Sequence, residues 1–389
     1  MKSLKSKIAA SALALSLAGG VFVTNPTTAE AAGKPLNIKK VLNLPAEGVT
    51  TPAETFTFKF TANSKNGDTT KTDIPTVNDV TIAYTADDKG DNNTEKPGKQ
   101  LIKETTDALA SVQWEESGQF TYKVIETAGT TKDMTYSKAS YLVSVFVGKT
   151  DDGNGYEVKD IQIKKIKDDA GKDITDPKKE EYTPGDSSDT TKDKNNFAFE
   201  NNYDKEAGNK KPGGGSEITD DDKKGFALRK TVDDESNDEF KFKLTVTKPE
   251  GSNSADTIFT YKIVDKDGNA GDDQEGKYGE AKEGIILKHN ERLVFTKVLL
   301  GSKVTVEETD SGRYEGSVSS SMFNGTKGES KEGVIGDQEG GNFIEFLNTK
   351  QTPTGLLVDN LPFIALVAVA GAGIAFFIKG KKEDEEALA

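Results

Sequence analysis

The sequence predicts an all-β protein, most of it arranged as β-sandwiches. Short segments of alternating apolar and polar residues recur along the chain, for example at 56–60, 141–147 and 240–246. This period of two is typical of half-buried strands, and the Gly, Asn and Asp residues between such segments indicate turns. No stretch between the two ends keeps a sustained helical period, so strands are expected throughout the middle of the protein.

Length and composition predict two domains. At 389 residues, 33% of them hydrophobic, the chain exceeds the size at which a single core usually divides. A segment rich in glycine, proline and charge interrupts the apolar pattern at 206–222, as expected of a flexible or semi-extended linker. The flanking parts, 33–205 and 223–350, look like diverged copies of one plan, since each opens on a strand with a lysine and closes on a Phe-x-Asn strand.

The charge and the motifs disfavour several functions. Acidic residues outnumber basic residues by 65 to 51, giving a net charge of -14, which disfavours binding to nucleic acid. The sequence contains no cysteine, so disulfides cannot stabilise the chain. We find no phosphate-binding glycine loop, nucleophile elbow or spaced metal ligands in the sequence. We therefore predict no cofactor, no metal and no turnover enzyme.

The two ends of the chain predict export. Residues 1–31 have the order of a secretory signal peptide, in which lysines precede an apolar run and small residues favour cleavage before Ala32. The alternative is an N-terminal membrane anchor, although the run is short for a bilayer and two glycines interrupt it. At the other end, residues 351–389 combine a pentapeptide, an apolar stretch long enough to cross a membrane and a basic tail.

This C-terminal segment resembles a sortase sorting signal. The pentapeptide is Gln351-Thr352-Pro353-Thr354-Gly355, whereas the family consensus is Leu-Pro-x-Thr-Gly. A similar x-x-Pro-Thr-Gly form occurs in a subset of pilus shaft proteins, which leaves open which sortase recognises it. The resemblance implies that the enzyme's cysteine attacks the carbonyl of Thr354, releases the chain from Gly355 onward and passes the acyl group to an amine. The alternative is a membrane-anchored protein with a chance pentapeptide.

Three polar residues are predicted to face the core of the first half. Because side chains alternate along a strand, Lys40 shares a face with the apolar residues that precede it. The same alternation turns Glu126 and Asn201 inward on two later strands. A buried lysine or glutamate is costly unless it is paired, so these positions require an explanation.

The second half repeats these residue types in the same order, as Lys230, Glu308 and Asn348. Burial lowers the pKa of a lysine and raises that of a glutamate, so each pair can exist as a neutral amine and a neutral acid. The amine can attack the asparagine carboxamide while the acid polarises the carbonyl and passes a proton to the departing ammonia. The predicted product in each half is an intramolecular Lys-Asn isopeptide bond, formed once.

A non-reactive alternative exists for each of these residues, because a strand at the edge of a sheet can carry an inward charge. Strand register distinguishes the two possibilities. Lys39, Asn202, Arg229 and Glu307 each lie one residue from a predicted member and would face the opposite side.

The sequence resembles the two-domain backbone pilins, or shaft pilins, of streptococci and their relatives, of the T-antigen type. The resemblance covers 33–355 and rests on LNIKK, YKVIET, FAFEN, ALRKT, VEETD and FLNTK together with the sorting signal. It implies immunoglobulin-like domains of the CnaB type in which an isopeptide bond joins the first and last strands. It also implies a pilus attached to the cell wall, in which the chain forms a covalent homopolymer and contributes to adhesion or colonisation. The implied partners are pilus-specific and housekeeping sortases, minor pilins, peptidoglycan and host surface ligands.

Polymerisation also requires a lysine whose amine accepts the acyl group of the neighbouring subunit. In the family that this chain resembles, the linking lysine precedes the isopeptide asparagine of the first domain by seven residues, which indicates Lys194. Lys192 and Lys172 are the alternatives. Two other functions remain open at this point: a monomeric wall-anchored surface adhesin, and a minor pilin at the base or tip.

Overall fold

The computed structural model describes residues 33–92, 94–96, 98–184, 194–252 and 254–350. These residues form β-strands, joined by turns and one short 3-10 helix at Asp222–Lys224. The all-β prediction is therefore confirmed. The predicted signal peptide and the predicted C-terminal membrane span lie outside the described residues. No helix in the described part of the chain has the length and hydropathy needed to cross a membrane.

Turns separate the strands that precede the 3-10 helix, and the strand at Ser140–Lys149 shows the predicted alternation of buried and more exposed residues most clearly. In chain order they are β1 (Lys39–Asn43), β2 (Glu54–Lys65), β3 (Val80–Tyr84), β4 (Gln100–Glu104), β5 (Gly118–Thr127), β6 (Met134–Thr135), β7 (Ser140–Lys149), β8 (Tyr156–Lys167), β9 (Ala198–Tyr203) and β10 (Glu206–Ala207).

The strands that follow the 3-10 helix form the second half of the molecule. They are β11 (Ala227–Val232), β12 (Phe240–Thr247), β13 (Ile258–Val264), β14 (Gln274–Lys277), β15 (Ala281–Leu287), β16 (Arg292–Leu299), β17 (Lys303–Asp310), β18 (Tyr314–Phe323), β19 (Thr326–Gly328), β20 (Glu332–Val334) and β21 (Phe343–Lys350).

Each half contains two sheets with a hydrophobic core between them. The sheets of the first half have the strand orders β4-β1-β9-β6 and β3-β2-β5-β7-β8. Those of the second half have the orders β14-β13-β16-β11-β21-β18-β19 and β15-β12-β17-β20, and β10 pairs with β16. Strands β2 and β12 show why the sheets stack, because the phenylalanines of β2 and the apolar residues of β12 are buried while the residues between them are exposed or half-exposed.

The first and last strands of each half are neighbours and run in parallel. Strand β1 pairs with β9, and β11 pairs with β21. Parallel neighbours need a long connection between them, which here is the rest of the sandwich. Both ends of each sandwich therefore meet in the middle of one sheet.

The two cores are separate clusters, but the chain crosses between them. Phe58 and Phe199 pack in the first core with ring centroids 5.0 Å apart. Phe242 and Phe346 form the corresponding contact in the second core at 5.3 Å. The loop after β1 leaves the first half, and its residue Val49 packs into the second core.

The segment 206–222, expected as a flexible or semi-extended linker, is held against the second half. Asp222 and Arg292 are both fully buried, and the Arg292 Nε lies 3.0 Å from the Asp222 carboxylate. The Arg292 guanidinium also donates 2.9 Å to the carbonyl oxygen of Gly213, and Asn209 donates 2.8 Å to Asp222. A buried ion pair thus anchors the glycine-rich part of this segment, which composition alone does not reveal.

Candidate functional site

The first site joins three strands of the first sandwich. Strand β1 contributes Lys40, β5 contributes Glu126 and β9 contributes Asn201. The Lys40 Nζ lies 2.7 Å from Oε2 of Glu126, and the Asn201 Nδ2 donates 2.6 Å to Oε1 of the same carboxylate. The side chains of Lys40 and Glu126 are fully buried, as is Asn201. The structure thus brings together an amine, an acid and a carboxamide away from water.

One aromatic ring and one main-chain carbonyl lie beside the Lys40 amine. Its Nζ lies 4.4 Å from the ring centroid of Phe56 and 3.4 Å from the carbonyl oxygen of Phe199. A ring face stabilises a cation only partly, and it does not replace the water that a lysine loses on burial. The amine is therefore held in a largely apolar environment next to a single carboxylate.

Burial moves both titrating groups toward neutrality. It lowers the pKa of Lys40 to about 8, against the opposing influence of Glu126. It also raises the pKa of Glu126, against the opposing influences of Lys40 and Asn201. The ion pair and the neutral pair contain the same number of protons, so one proton transfer along the 2.7 Å contact interconverts them. A nucleophilic amine is accessible in this way near neutral pH.

The second site repeats the arrangement on β11, β17 and β21. The Lys230 Nζ lies 3.1 Å from Oε1 of Glu308, and both side chains are nearly inaccessible to water. The Asn348 Nδ2 donates 2.9 Å to the same oxygen. Burial lowers the pKa of Lys230 to about 8, opposed by Glu308, and its Nζ lies 4.4 Å from the ring centroid of Phe240.

The two sites share one strand register. Lys40 lies opposite Phe199, which is two residues before Asn201 on β9. Lys230 lies opposite Phe346, which is likewise two residues before Asn348 on β21. The recurrence of one offset in two diverged halves indicates that the parallel strand pair is what positions amine and carboxamide.

The sequence analysis assigned no site role to the phenylalanines of β2 and β12, although Phe56 and Phe240 lie over the two amines. Glu126 lies opposite Phe58 in the pairing of β5 with β2, and Glu308 lies opposite Phe242 in the pairing of β17 with β12. The signal was present, because Phe-x-Phe occurs in both β2 and β12. It was indistinguishable from ordinary core patterning.

Neighbouring polar residues lie outside the two sites. Arg229 contacts Glu217 at 2.5 Å, Glu307 contacts Lys243 at 2.5 Å, and Asn202 accepts a hydrogen bond from Asn43. These contacts lie on the opposite faces of their strands, as alternation requires. The neighbouring residues therefore do not compete for the three positions of either site.

The second site differs from the first around its carboxamide. Among the described residues, neither Oδ1 of Asn348 nor Nζ of Lys230 has a hydrogen-bond partner, although the lysine remains close to Glu308. Gly316 lies directly opposite Asn348 on β18. A Cβ atom added there would lie 2.9 Å from Oδ1 of Asn348 and would overlap the Glu308 carboxylate. A side chain at position 316 would therefore force the Glu308 carboxylate to move from its place beside Asn348.

If the predicted Lys230-Asn348 and Lys40-Asn201 crosslinks form, we expect Gly316→Ala to prevent the first of them, because the methyl group displaces the Glu308 carboxylate from Lys230 and Asn348. Intact mass should then fall short of the sequence mass by one ammonia instead of two. Gly328→Ala is the matched control, since a Cβ at Gly328 meets its nearest atom at 3.7 Å in the adjacent strand β19. A loss of two ammonia molecules in Gly316→Ala would contradict this role of the glycine.

The predicted linking lysine lies outside the buried sites. The Lys194 Nζ is 2.7 Å from Oε1 of Glu181, and its side chain is 51% exposed. Lys172 is also exposed. Lys192 and the sorting pentapeptide with Thr354 and Gly355 lie outside the described residues. An exposed amine of this kind is accessible to an enzyme, unlike those of Lys40 and Lys230.

Comparisons with known proteins give one family and a group of solved structures. Residues 224–350 match a family described as a domain of unknown function, DUF7601. A search of curated proteins gives no match.

The chain is similar in structure to streptococcal pilins. The similar structures include a major pilin, T3.2, of Streptococcus pyogenes, at 20% identity and a TM-score of 0.33 over 82% of this chain and 98% of that one. Another major pilin of Streptococcus pyogenes has 19% identity and a TM-score of 0.34 over 82% and 99%. A pilus-presented adhesin, Cpa, has 13% identity and a TM-score of 0.24 over 82% and 100%.

Proposed function

We propose that the chain is the structural shaft subunit of a sortase-assembled pilus on a Gram-positive cell surface. The observation that supports this most directly is the pair of buried Lys-Glu-Asn sites, each set between the first and last strands of its sandwich. In this proposal 33–205 and 223–350 are the two domains, and 206–222 connects them. Each site acts once, so the protein is a substrate of its own chemistry and of sortases rather than an enzyme.

The crosslinking reaction balances without any added reactant. Nζ of the neutral lysine attacks Cγ of the asparagine, a new C–N bond forms, and the bond between Cγ and Nδ2 breaks. One proton from the amine leaves with the amide nitrogen as ammonia. Glu126 and Glu308 contact both nitrogens, so each is suitably placed to move that proton.

An isopeptide bond between the first and last strands of each sandwich explains how a shaft without cysteine resists force. Tension along a pilus enters a sandwich near its first strand and leaves near its last. Parallel β1 and β9 are held only by non-covalent contacts before the reaction, as are β11 and β21. A covalent bond between them carries the load past the rest of the sandwich, so unfolding under tension requires breaking an amide.

Polymerisation is assigned to Thr354 of one subunit and Lys194 of the next. Thr354 becomes the acyl donor after cleavage before Gly355. Lys194 supports the acceptor role because its amine is exposed and only paired with the exposed Glu181. A surface ion pair of this type contributes roughly 0–1 kcal/mol, so it does not prevent the amine from reacting.

We expect Lys194→Ala to abolish the ladder of high-mass species in cell-wall extracts of the producing bacterium. The measurement is an immunoblot after enzymatic digestion of the wall. Lys172→Ala is the matched control, because it removes another exposed lysine of the first half and should leave the ladder unchanged.

The possible blots separate the candidate functions. A single band from the wild-type chain would contradict the shaft assignment and favour a monomeric wall-anchored adhesin. A normal ladder from Lys194→Ala would overturn the assignment of this lysine and transfer the role to Lys192 or Lys172.

A further inference from the structure

The carboxamide of Asn201 has a fixed orientation. Its Oδ1 accepts a hydrogen bond of 2.7 Å from the main-chain N–H of the buried residue Ser137. Since a main-chain N–H only donates, it faces the oxygen of the carboxamide and not the nitrogen. The Nδ2 atom consequently points to Glu126. This differs from the sequence-based expectation, because the glutamate contacts the leaving nitrogen and another group contacts the carbonyl.

We propose that the main-chain amide of Ser137 stabilises the oxyanion that forms during crosslinking of the first sandwich, and that Asp169 is the positioning residue for it. This rests on the proposed function. When Lys40 attacks Cγ, the carbonyl π electrons move onto Oδ1, where the N–H already points. A preorganised donor at a developing oxyanion is among the strongest single contributions to acyl-transfer rates.

Asp169 ties the Ser137 segment to the strand that carries the electrophile. Its Oδ1 accepts hydrogen bonds from the Ser137 hydroxyl at 2.6 Å and from the main-chain N–H of Glu200 at 2.9 Å. Glu200 immediately precedes Asn201 on β9. One carboxylate oxygen therefore links the oxyanion donor to the residue beside the reacting carboxamide.

Further contacts keep Asp169 in place. The Lys165 Nζ donates to its Oδ2 at 2.6 Å, and the main-chain N–H of Lys138 donates to its carbonyl at 2.9 Å. Burial opposes ionisation of Asp169, but hydrogen bonds from Lys165, Ser137 and Glu200 outweigh it and lower the pKa of this carboxyl. Asp169 is thus a carboxylate that can accept several hydrogen bonds at once.

The second sandwich provides an internal comparison. No hydrogen-bond donor among the described residues contacts Oδ1 of Asn348. Its acid nevertheless contacts the leaving nitrogen as in the first site. Changes at Asp169 should therefore alter crosslinking of the first sandwich and leave the second unchanged in the same molecule.

The test follows both crosslinks with time after cell-free synthesis of residues 33–350, which contain both cores. Mass spectrometry of digests quantifies the linked Lys40-Asn201 and Lys230-Asn348 peptides. We expect Asp169→Ala to slow the first crosslink about 100-fold, the scale for one lost or misplaced oxyanion donor. The second crosslink should form at the wild-type rate.

Two conservative changes separate positioning from general destabilisation. Asp169→Asn keeps a side-chain oxygen for Ser137 and Glu200 and should recover most of the lost rate, although it loses the ion pair with Lys165. Ser137→Ala keeps the N–H but loses the contact with Asp169, so it should slow the first crosslink, and Ser137→Thr should restore it. This second pair tests the proposal even if Asp169→Ala does not fold.

Wild-type rates in both Asp169→Ala and Ser137→Ala would overturn the proposal while leaving the proposed function intact. Equal slowing in Asp169→Asn and Asp169→Ala would also overturn it, because the retained acceptor would then have no effect. Failure of the proposed function has a different signature: the wild-type chain itself would yield no Lys40-Asn201 peptide.

Discussion

The Asn201→Ala variant of residues 33–350 is expected to lose only one ammonia on folding and to melt far below the wild-type protein. The substitution removes the electrophile, whereas the Lys40-Glu126 ion pair at 2.7 Å remains, so no buried charge is orphaned. Closing a loop of this size with a covalent bond stabilises a fold by about 5 kcal/mol, by analogy with a disulfide. That loss corresponds to a fall in melting temperature of roughly 10–20 °C.

The matched control for this variant is Asn202→Ala. Asn202 is the next residue on β9 and accepts a hydrogen bond from Asn43 outside the site. It should keep both ammonia losses and nearly all of the melting temperature. Intact mass and calorimetry provide the two readings. A wild-type mass equal to the sequence mass would remove the basis for the crosslinks, and a crosslink in Asn201→Ala would assign the electrophile to another residue.

The second large effect is expected from Asp222→Ala, which leaves the fully buried Arg292 without its carboxylate. An uncompensated buried charge destabilises a fold by about 3–5 kcal/mol. Loss of the acceptor for Asn209 and for the main-chain N–H of Thr219 adds to this effect. Denaturant unfolding of residues 33–350 measures the change in the free energy of unfolding.

Two further variants show whether the buried pair is the cause. Asp220→Ala removes a neighbouring acid that contacts Lys223 and whose side chain is 99% exposed. This change should alter the free energy of unfolding by less than about 1 kcal/mol. Asp222→Leu combined with Arg292→Met removes both charges and should be less destabilising than Asp222→Ala alone. If Asp222→Ala leaves the free energy of unfolding unchanged, water must reach Arg292 in solution.

Much of the strand pattern and of the site composition can be predicted from the sequence. Alternation predicts that Lys40 and Lys230 face inward, and the structure buries both. The prediction works because side chains alternate along a strand, so one residue of slip would turn each lysine and the apolar residues beside it to the opposite face of the sheet. The Phe residues of β2 and β12 carry the same pattern, but their contact with the amines depends on how the two sheets stack.

Other features depend on contacts that carry no local signal. The donor to Asn201 is a main-chain N–H of Ser137, and every residue except proline has such a group. The segment 206–222 has the composition of a linker, yet Arg292, distant in sequence, anchors it through Asp222. In both cases the contact depends on a group from a distant part of the chain, so the local sequence does not reveal it.

The sequence by itself determined the all-β class, the inward facing of Lys40 and Lys230, and the recurrence of lysine, glutamate and asparagine in one order in both halves. Only the tertiary structure decided that each lysine lies beside its glutamate and that the carboxamide oxygen of Asn201 accepts a hydrogen bond from the main-chain N–H of Ser137. Lys40 and Glu126 are 86 residues apart in the chain, and Asn201 and Glu126 are 75 apart. Alternation along one strand is a local property, whereas the order, register and stacking of strands are properties of the whole sandwich.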